Sequence, residues 1–137
     1  MTNLGSNNWL RIPIFGVAYF AIGYGSTLFD APGPGLHFWR VAAWIASAAV
    51  YFGHFADEHF RLENSPSITA IHVGLAVAIG GFLLAVAATA HAAMVSEHAP
   101  YLLFVIALVA WPLITGVPAL VVTFVLATAL RWLKIPR

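Results

Sequence analysis

Four long apolar stretches, at about residues 12–29, 38–56, 67–93 and 101–130, decide most of what this chain can fold into. A helix needs roughly 20 apolar residues to cross a ~30 Å hydrocarbon core. In hydrocarbon every backbone N–H and C=O must be satisfied within the protein, and a helix does this within its own segment. The stretches and the turns between them use nearly all of the 137 residues, which argues for a single domain. Only 8% of residues are charged, against roughly a quarter in soluble domains. The expectation is an all-α integral membrane bundle of four transmembrane helices, running up-down-up-down, in a lipid bilayer.

The charges orient that bundle. Of the six Lys and Arg residues, Arg11 precedes the first stretch, Arg61 lies between the second and third, and Arg131, Lys134 and Arg137 follow the fourth. Arg40 alone falls on the opposite side. The positive-inside bias therefore predicts both termini and the Arg61 loop on the cytoplasmic face, in what reads as a bacterial inner membrane. Trp9 and Trp132 stand where interfacial aromatics belong, with Phe38 and Trp39 at the outer boundary. The first stretch is longer than the apolar region of a cleaved signal peptide. A formal charge of +1 leaves no footprint for nucleic acid. The zero Cys count excludes disulfides, thiol catalysis and Cys-ligated zinc or iron–sulfur clusters.

Turn chemistry separates the helices. Ala31-Pro32-Gly33-Pro34-Gly35 cannot be helical and forms the first outer turn. Asp30, His37 and Arg40 flank it and are placed to pair. Ser96-Glu97-His98-Ala99-Pro100 forms the second. On the cytoplasmic side a helical rhythm continues past the membrane to Arg61, pairing Asp57 with Arg61 and His59 with Glu63 at i,i+4. Asn64-Ser65-Pro66 ends it, with Ser65 a good N-cap and Pro66 suited to the first helical position of the next helix.

Small residues recur at intervals of four and three in two spans. The third span carries Gly74, Ala78, Gly81, Ala85, Ala88 and Ala92, and the second carries Ala42, Ala46, Ala49 and Gly53. Such stripes let helix backbones approach closely in lipid. They predict that the second and third spans are the closest pair, or that the stripes form the interface of a homo-oligomer.

Two features could carry chemistry. His54 and His72 lie at nearly equal distance from the Asn64-Ser65 turn, so antiparallel helices bring them to similar depth, within about 3 Å at ~1.5 Å per residue. They could ligate a b-type haem axially, hold a metal with Asp57, Glu58 and His59, or hydrogen-bond as neutral rings across the helix pair. In the fourth span, Pro112 and Pro118 each remove a hydrogen bond, from the carbonyls of Leu108 and Ile114 respectively. With Thr115 and Gly116 between them, this segment reads either as a kink or as a helix break that offers carbonyls to a ligand. No acid or base sits at the centre of a span, and no set of nucleophile, base and orienting group is present. The first expectation is therefore a non-catalytic accessory, scaffolding or assembly subunit, acting through helix packing in a homo-oligomer or larger membrane complex. A haem or redox subunit using His54 and His72, and a small-solute carrier with its site at the Pro112–Pro118 segment, are the alternatives.

Overall fold

In the computed structural model, residues 9–28, 35–95 and 101–133 are described. The polar lead-in (Asn3, Ser6, Asn7, Asn8), the turns at 31–34 and 96–100, and Asp30, Glu97, His98, Lys134 and Arg137 lie outside them, as does the side chain of His37. The elements are α1 (Arg11–Leu28), α2 (Gly35–Ala56) running into a π turn (Asp57–Arg61), α3 (Pro66–Val95) and α4 (Tyr101–Leu133). The protein is all-helical, with no strand among the described residues. Two of the helices, α3 with 30 residues and α4 with 33, are long and apolar enough to cross a membrane.

The start of α3 follows from local chemistry. Ser65 caps it: its hydroxyl accepts the Ile68 N–H at 3.3 Å and its carbonyl accepts the Thr69 N–H at 2.9 Å. Pro66 occupies the first helical position, where its missing N–H costs nothing.

Helix α3 is the hub, and glycine makes it one. On one face, a Cβ on Gly74 would meet Leu120 Cβ at 2.8 Å, and one on Gly81 would meet Thr115 Oγ1 at 2.5 Å. Gly116 of α4 replies, since a Cβ there would sit 2.7 Å from Ala78 Cβ. Contacts of 74 with 116 and 120, and of 81 with 111 and 115, show α3 and α4 antiparallel. On the other face a Cβ on Gly80 would meet Tyr19 Cβ at 2.6 Å, and one on Gly16 would meet the Ile79 side chain. Residue numbers there rise together, so α1 and α3 run parallel. Helix α1 in turn opposes α2, with Arg11 against Asp57 and Phe15 against His54. Successive helices thus alternate in direction.

The expected pairing of the second and third spans is corrected. Helix α3 packs most extensively on α4 and next on α1, and scarcely touches α2. Of the α2 stripe, Ala46 is half-buried, Ala49 is exposed, and a Cβ on Gly53 would meet nothing within 4 Å. Gly74, Ala78 and Gly81 do form a close interface, but with α4, while Ala85 is buried further along α3. The physical reason lies on α2 itself. Its inward stripe is Ser47, Tyr51, His54 and Glu58, because polar side chains seek partners inside the protein and turn the alanine stripe outward.

The fourth span, read either as a kink or as a helix break, shows no break. Helix α4 continues through Pro112 and Pro118 to Leu133. The Thr115 hydroxyl donates back to the carbonyls of Trp111 and Pro112, at 2.9 and 3.4 Å, which supports the turn between the prolines.

Enlarging Gly116 to Leu should destabilise the fold by about 1–3 kcal/mol, the cost of overpacking a close backbone approach. The same change at Gly53 should leave the thermal midpoint unmoved. Circular dichroism melts of the two variants in one detergent check the pair.

Candidate functional site

At the end of α2 the helix widens. The Leu62 N–H donates to the Asp57 carbonyl at 3.0 Å, a five-residue step that defines the π turn. The wider turn carries both Glu58 and His59 into the interior, where they are 0% and 5% exposed. Asn64 then clasps Glu58 twice: its N–H donates to the Glu58 carbonyl at 3.2 Å and its side-chain amide to Oε2 at 2.5 Å. Glu63 between them holds φ at 51°, in the left-handed region that reverses the chain toward Ser65.

Around the Glu58 carboxylate stand both histidines singled out in the sequence. His72 Nδ1 lies 2.9 Å from Oε2, and His54 Nε2 lies 3.7 Å from Oε1. An ionised carboxylate only accepts, so His72 carries its proton on Nδ1. Aromatic rings enclose the cluster. Phe15 stacks on His54 at 3.9 Å between centroids and 7° between planes, and Trp9 meets His72 edge-on at 5.1 Å. Phe55 stacks on His59 at 5.4 Å. Outside this layer Arg11 pairs with Asp57, which also accepts from Arg61 at 3.3 Å. The Asp57–Arg61 pair is the one expected from spacing.

Burial pushes the Glu58 carboxyl up. The nearby His54, with His72 and the Asn64 amide, outweighs that and holds it below the ordinary carboxylate range. Glu58 is therefore an anion at neutral pH, and the cluster ties α2, α3 and the loop between them to one charge.

This arrangement weighs differently on the chemistries set out above. His54 and His72 are brought together, at the same level, but on one carboxylate. The space a porphyrin would need between the rings is taken by Glu58, and Phe15 covers a face of His54. For metals, no group of three or more His, Asp or Glu side chains is disposed to hold an ion among the described residues.

A second feature lies higher in the bundle. A groove of about 730 Å³ opens between α2 and the other three helices, floored by Gly80 and Gly81 and walled by Tyr19, Trp44, Tyr51 and Trp111. Tyr51 bonds across it to α4, with its hydroxyl 2.7 Å from Thr123 Oγ1 and 3.3 Å from the Ala119 carbonyl. The Tyr19 hydroxyl is buried with no hydrogen-bond partner. Thr115 also lines the groove, but Pro112, Gly116 and Pro118 do not.

Comparison with known proteins gives no match to a family model, a curated protein or a solved structure. The site is read from its own chemistry.

Two residues central to this geometry stand out less in the sequence. Glu58 is four residues beyond His54, hence on the same helix face, and that spacing marks it as a partner of His54. Tyr19 had no such signal, because what distinguishes it is the lack of a partner.

Replacing Glu58 by Ala should cost about 1–3 kcal/mol for each donor left unsatisfied, since His72 and Asn64 lose their shared acceptor. The folded carboxyl lies below its unfolded value of about 4.3, so its contribution is complete above that pH and lost as pH falls through the folded value. Thermal midpoints measured from roughly pH 7 downward should fall more steeply in the wild type than in Glu58→Gln, whose acid limb is flattened.

Proposed function

We propose that this chain is a four-span integral membrane protein with both ends on the cytoplasmic side, and that it acts as a non-catalytic accessory or assembly subunit. The observation that carries the reading is the outer surface of α4. Only 6% of the residues in its most apolar segment are buried, against 44% for α3. Helix α2 adds Trp44, 79% exposed, with Val41, Ile45 and Phe52 beside it. An apolar surface this continuous fits lipid and a membrane partner, not water. The 18 residues of α1 and 22 of α2 give lengths of about 27 and 33 Å, which bracket a ~30 Å core and fall within the roughly 17–25 residues of transmembrane helices.

The polar groups support a structural role. The charged and imidazole side chains of the site gather at one end, where Arg11 and Arg61 pair with Asp57 and His72 bonds to Glu58. They hold helices together. The carrier alternative depended on an opened backbone in α4, and that helix is continuous.

A reporter fused after Arg137 should be active only in the cytoplasm, and one placed after Asp30 only outside. Activity of a periplasmic reporter at Arg137 would overturn the four-span arrangement. Extraction of native membranes in mild detergent should yield the chain in a homo-oligomer or with a second membrane subunit. A monomer with nothing attached would overturn the assembly role.

A further inference from the structure

Glu58 is a buried anion without a permanent counter-ion. Its side chain is 0% exposed, and among the described residues its ion pairs are with His54 and His72, which carry charge only when protonated. The arginines stand elsewhere. Arg11 and Arg61 pair with Asp57, Arg40 lies near the start of α2, and Arg131, the one charged residue of α4, is exposed at the end of that helix. A charge withdrawn from water is costly unless it is paired.

The carboxylate is also satisfied on one side only. Oε2 accepts from His72 at 2.9 Å and from the Asn64 amide at 2.5 Å. Oε1 has no hydrogen-bond partner, and it faces His54 Nε2 at 3.7 Å, about half an ångström beyond hydrogen-bond reach. His54 is itself 0% exposed, and neither of its ring nitrogens has a hydrogen-bond partner. A neutral imidazole holds one donor and one acceptor, so this ring buries both unmade. Each such group in a folded protein asks for an explanation. Here a negative oxygen and a basic ring confront each other across a gap that one proton would close. Phe15 lies flat on His54 at 3.9 Å, and an aromatic face attracts a cation within about 6 Å.

We infer that His54 is a proton-binding site, and that the bound proton latches His54 to Glu58. The proton comes from water and adds to the unprotonated ring nitrogen, so that both nitrogens become donors. Nε2 then donates to Oε1 in a charge-assisted bond of about 2.7–2.9 Å. Glu58, His54 and His72 together pass from a single negative charge to none. The other groups around the pair keep their state. From α3, His72 already donates to Oε2, and from α1 come Phe15 and the paired Arg11. On the π turn, Asp57 is held by two arginines and His59 stacks on Phe55, while Glu63 beyond it is exposed. From α4 the polar residue of this layer is Thr123, bonded to Tyr51. Oε2 remains on α3 and the loop, so closure of the Oε1 side makes the carboxylate a full bridge to α2. The latch is open when His54 is neutral and shut when it is charged.

The test is a nuclear magnetic resonance titration of the full chain, labelled with ¹³C and ¹⁵N, in detergent micelles. The scan runs from about pH 8 to about pH 5, where imidazoles ordinarily change charge. It stops above the acid limb set by the Glu58 carboxyl itself. Substituting the histidines by Gln one at a time assigns their signals. The two ring nitrogens of His54, well separated when the ring is neutral, should converge as it becomes an imidazolium. The Glu58 carboxyl carbon should shift with the same midpoint while the group stays ionised. In Glu58→Gln the His54 midpoint should fall by at least about one pH unit, a tenfold loss of proton affinity. A His54 ring that stays neutral throughout the scan would overturn the proposal. So would a proton that appears on His72 instead, or a His54 midpoint that is the same in Glu58→Gln. The common midpoint of His54 and Glu58 is read in the wild type, so it decides the matter even where Glu58→Gln does not fold: a carboxyl signal that ignores the charging of His54 means no latch.

Discussion

A polar atom withdrawn from water must find its partner inside the protein, and that constraint sets the position of α2. Its inward stripe of Ser47, Tyr51, His54 and Glu58 reaches α4 through Thr123 and α3 through His72. The apolar contacts of α2 do little by comparison: only His54 and Phe55 are buried along the described part of the helix. Helix α2 is thus held by directional bonds, whereas α1, α3 and α4 are held by close backbone approach. The cluster around Glu58 is where the two kinds of cohesion meet, because Phe15 of α1 and Trp9 before it seal the same charge that His72 of α3 partners.

Close approach explains the rest of the core. The doublet Gly80-Gly81 faces two ways, one residue toward Tyr19 of α1 and the next toward Thr115 of α4. Neighbouring positions on a helix lie about 100° apart, so a pair of glycines serves two partners where one serves only one. Where lipid offers no hydrophobic drive between helices, van der Waals contact of this kind is the main cohesive force. It also brings polar atoms into contact range, as when Gly81 leaves room for the Thr115 hydroxyl that steadies the proline turn of α4.

Much of this was legible in the sequence, and the reasons for the rest are physical. Helix ends fell where Ser65 and Pro66 placed them, because capping is local chemistry. The Asp57–Arg61 pair and the common level of His54 and His72 followed from spacing alone. The partner of the α3 stripe did not, because small residues record only that something comes close. On α2 two stripes competed, and Ala46-Ala49-Gly53 looked like an interface while Tyr51-His54-Glu58 was one. The demand for hydrogen-bond partners, stronger than the gain from alanine contact, decides between them. The continuity of α4 was equally hidden, since whether two prolines break a helix depends on the support their neighbours give. The π turn that carries Glu58 inward left no periodicity to read.

The way α2 is attached has a mechanical consequence. Tyr51 and, just past the end of α2, Glu58 bond to α4 and α3, while the 22-residue helix extends about 33 Å from its first residue to its last. A tilt of about 10° about those bonds would carry the far end some 5–6 Å. The groove lies along this length of α2, from Arg40 to Phe52. Its width is therefore sensitive to the geometry of bonds at the Glu58 end, because a small change in how the carboxylate is held is magnified by the length of the helix.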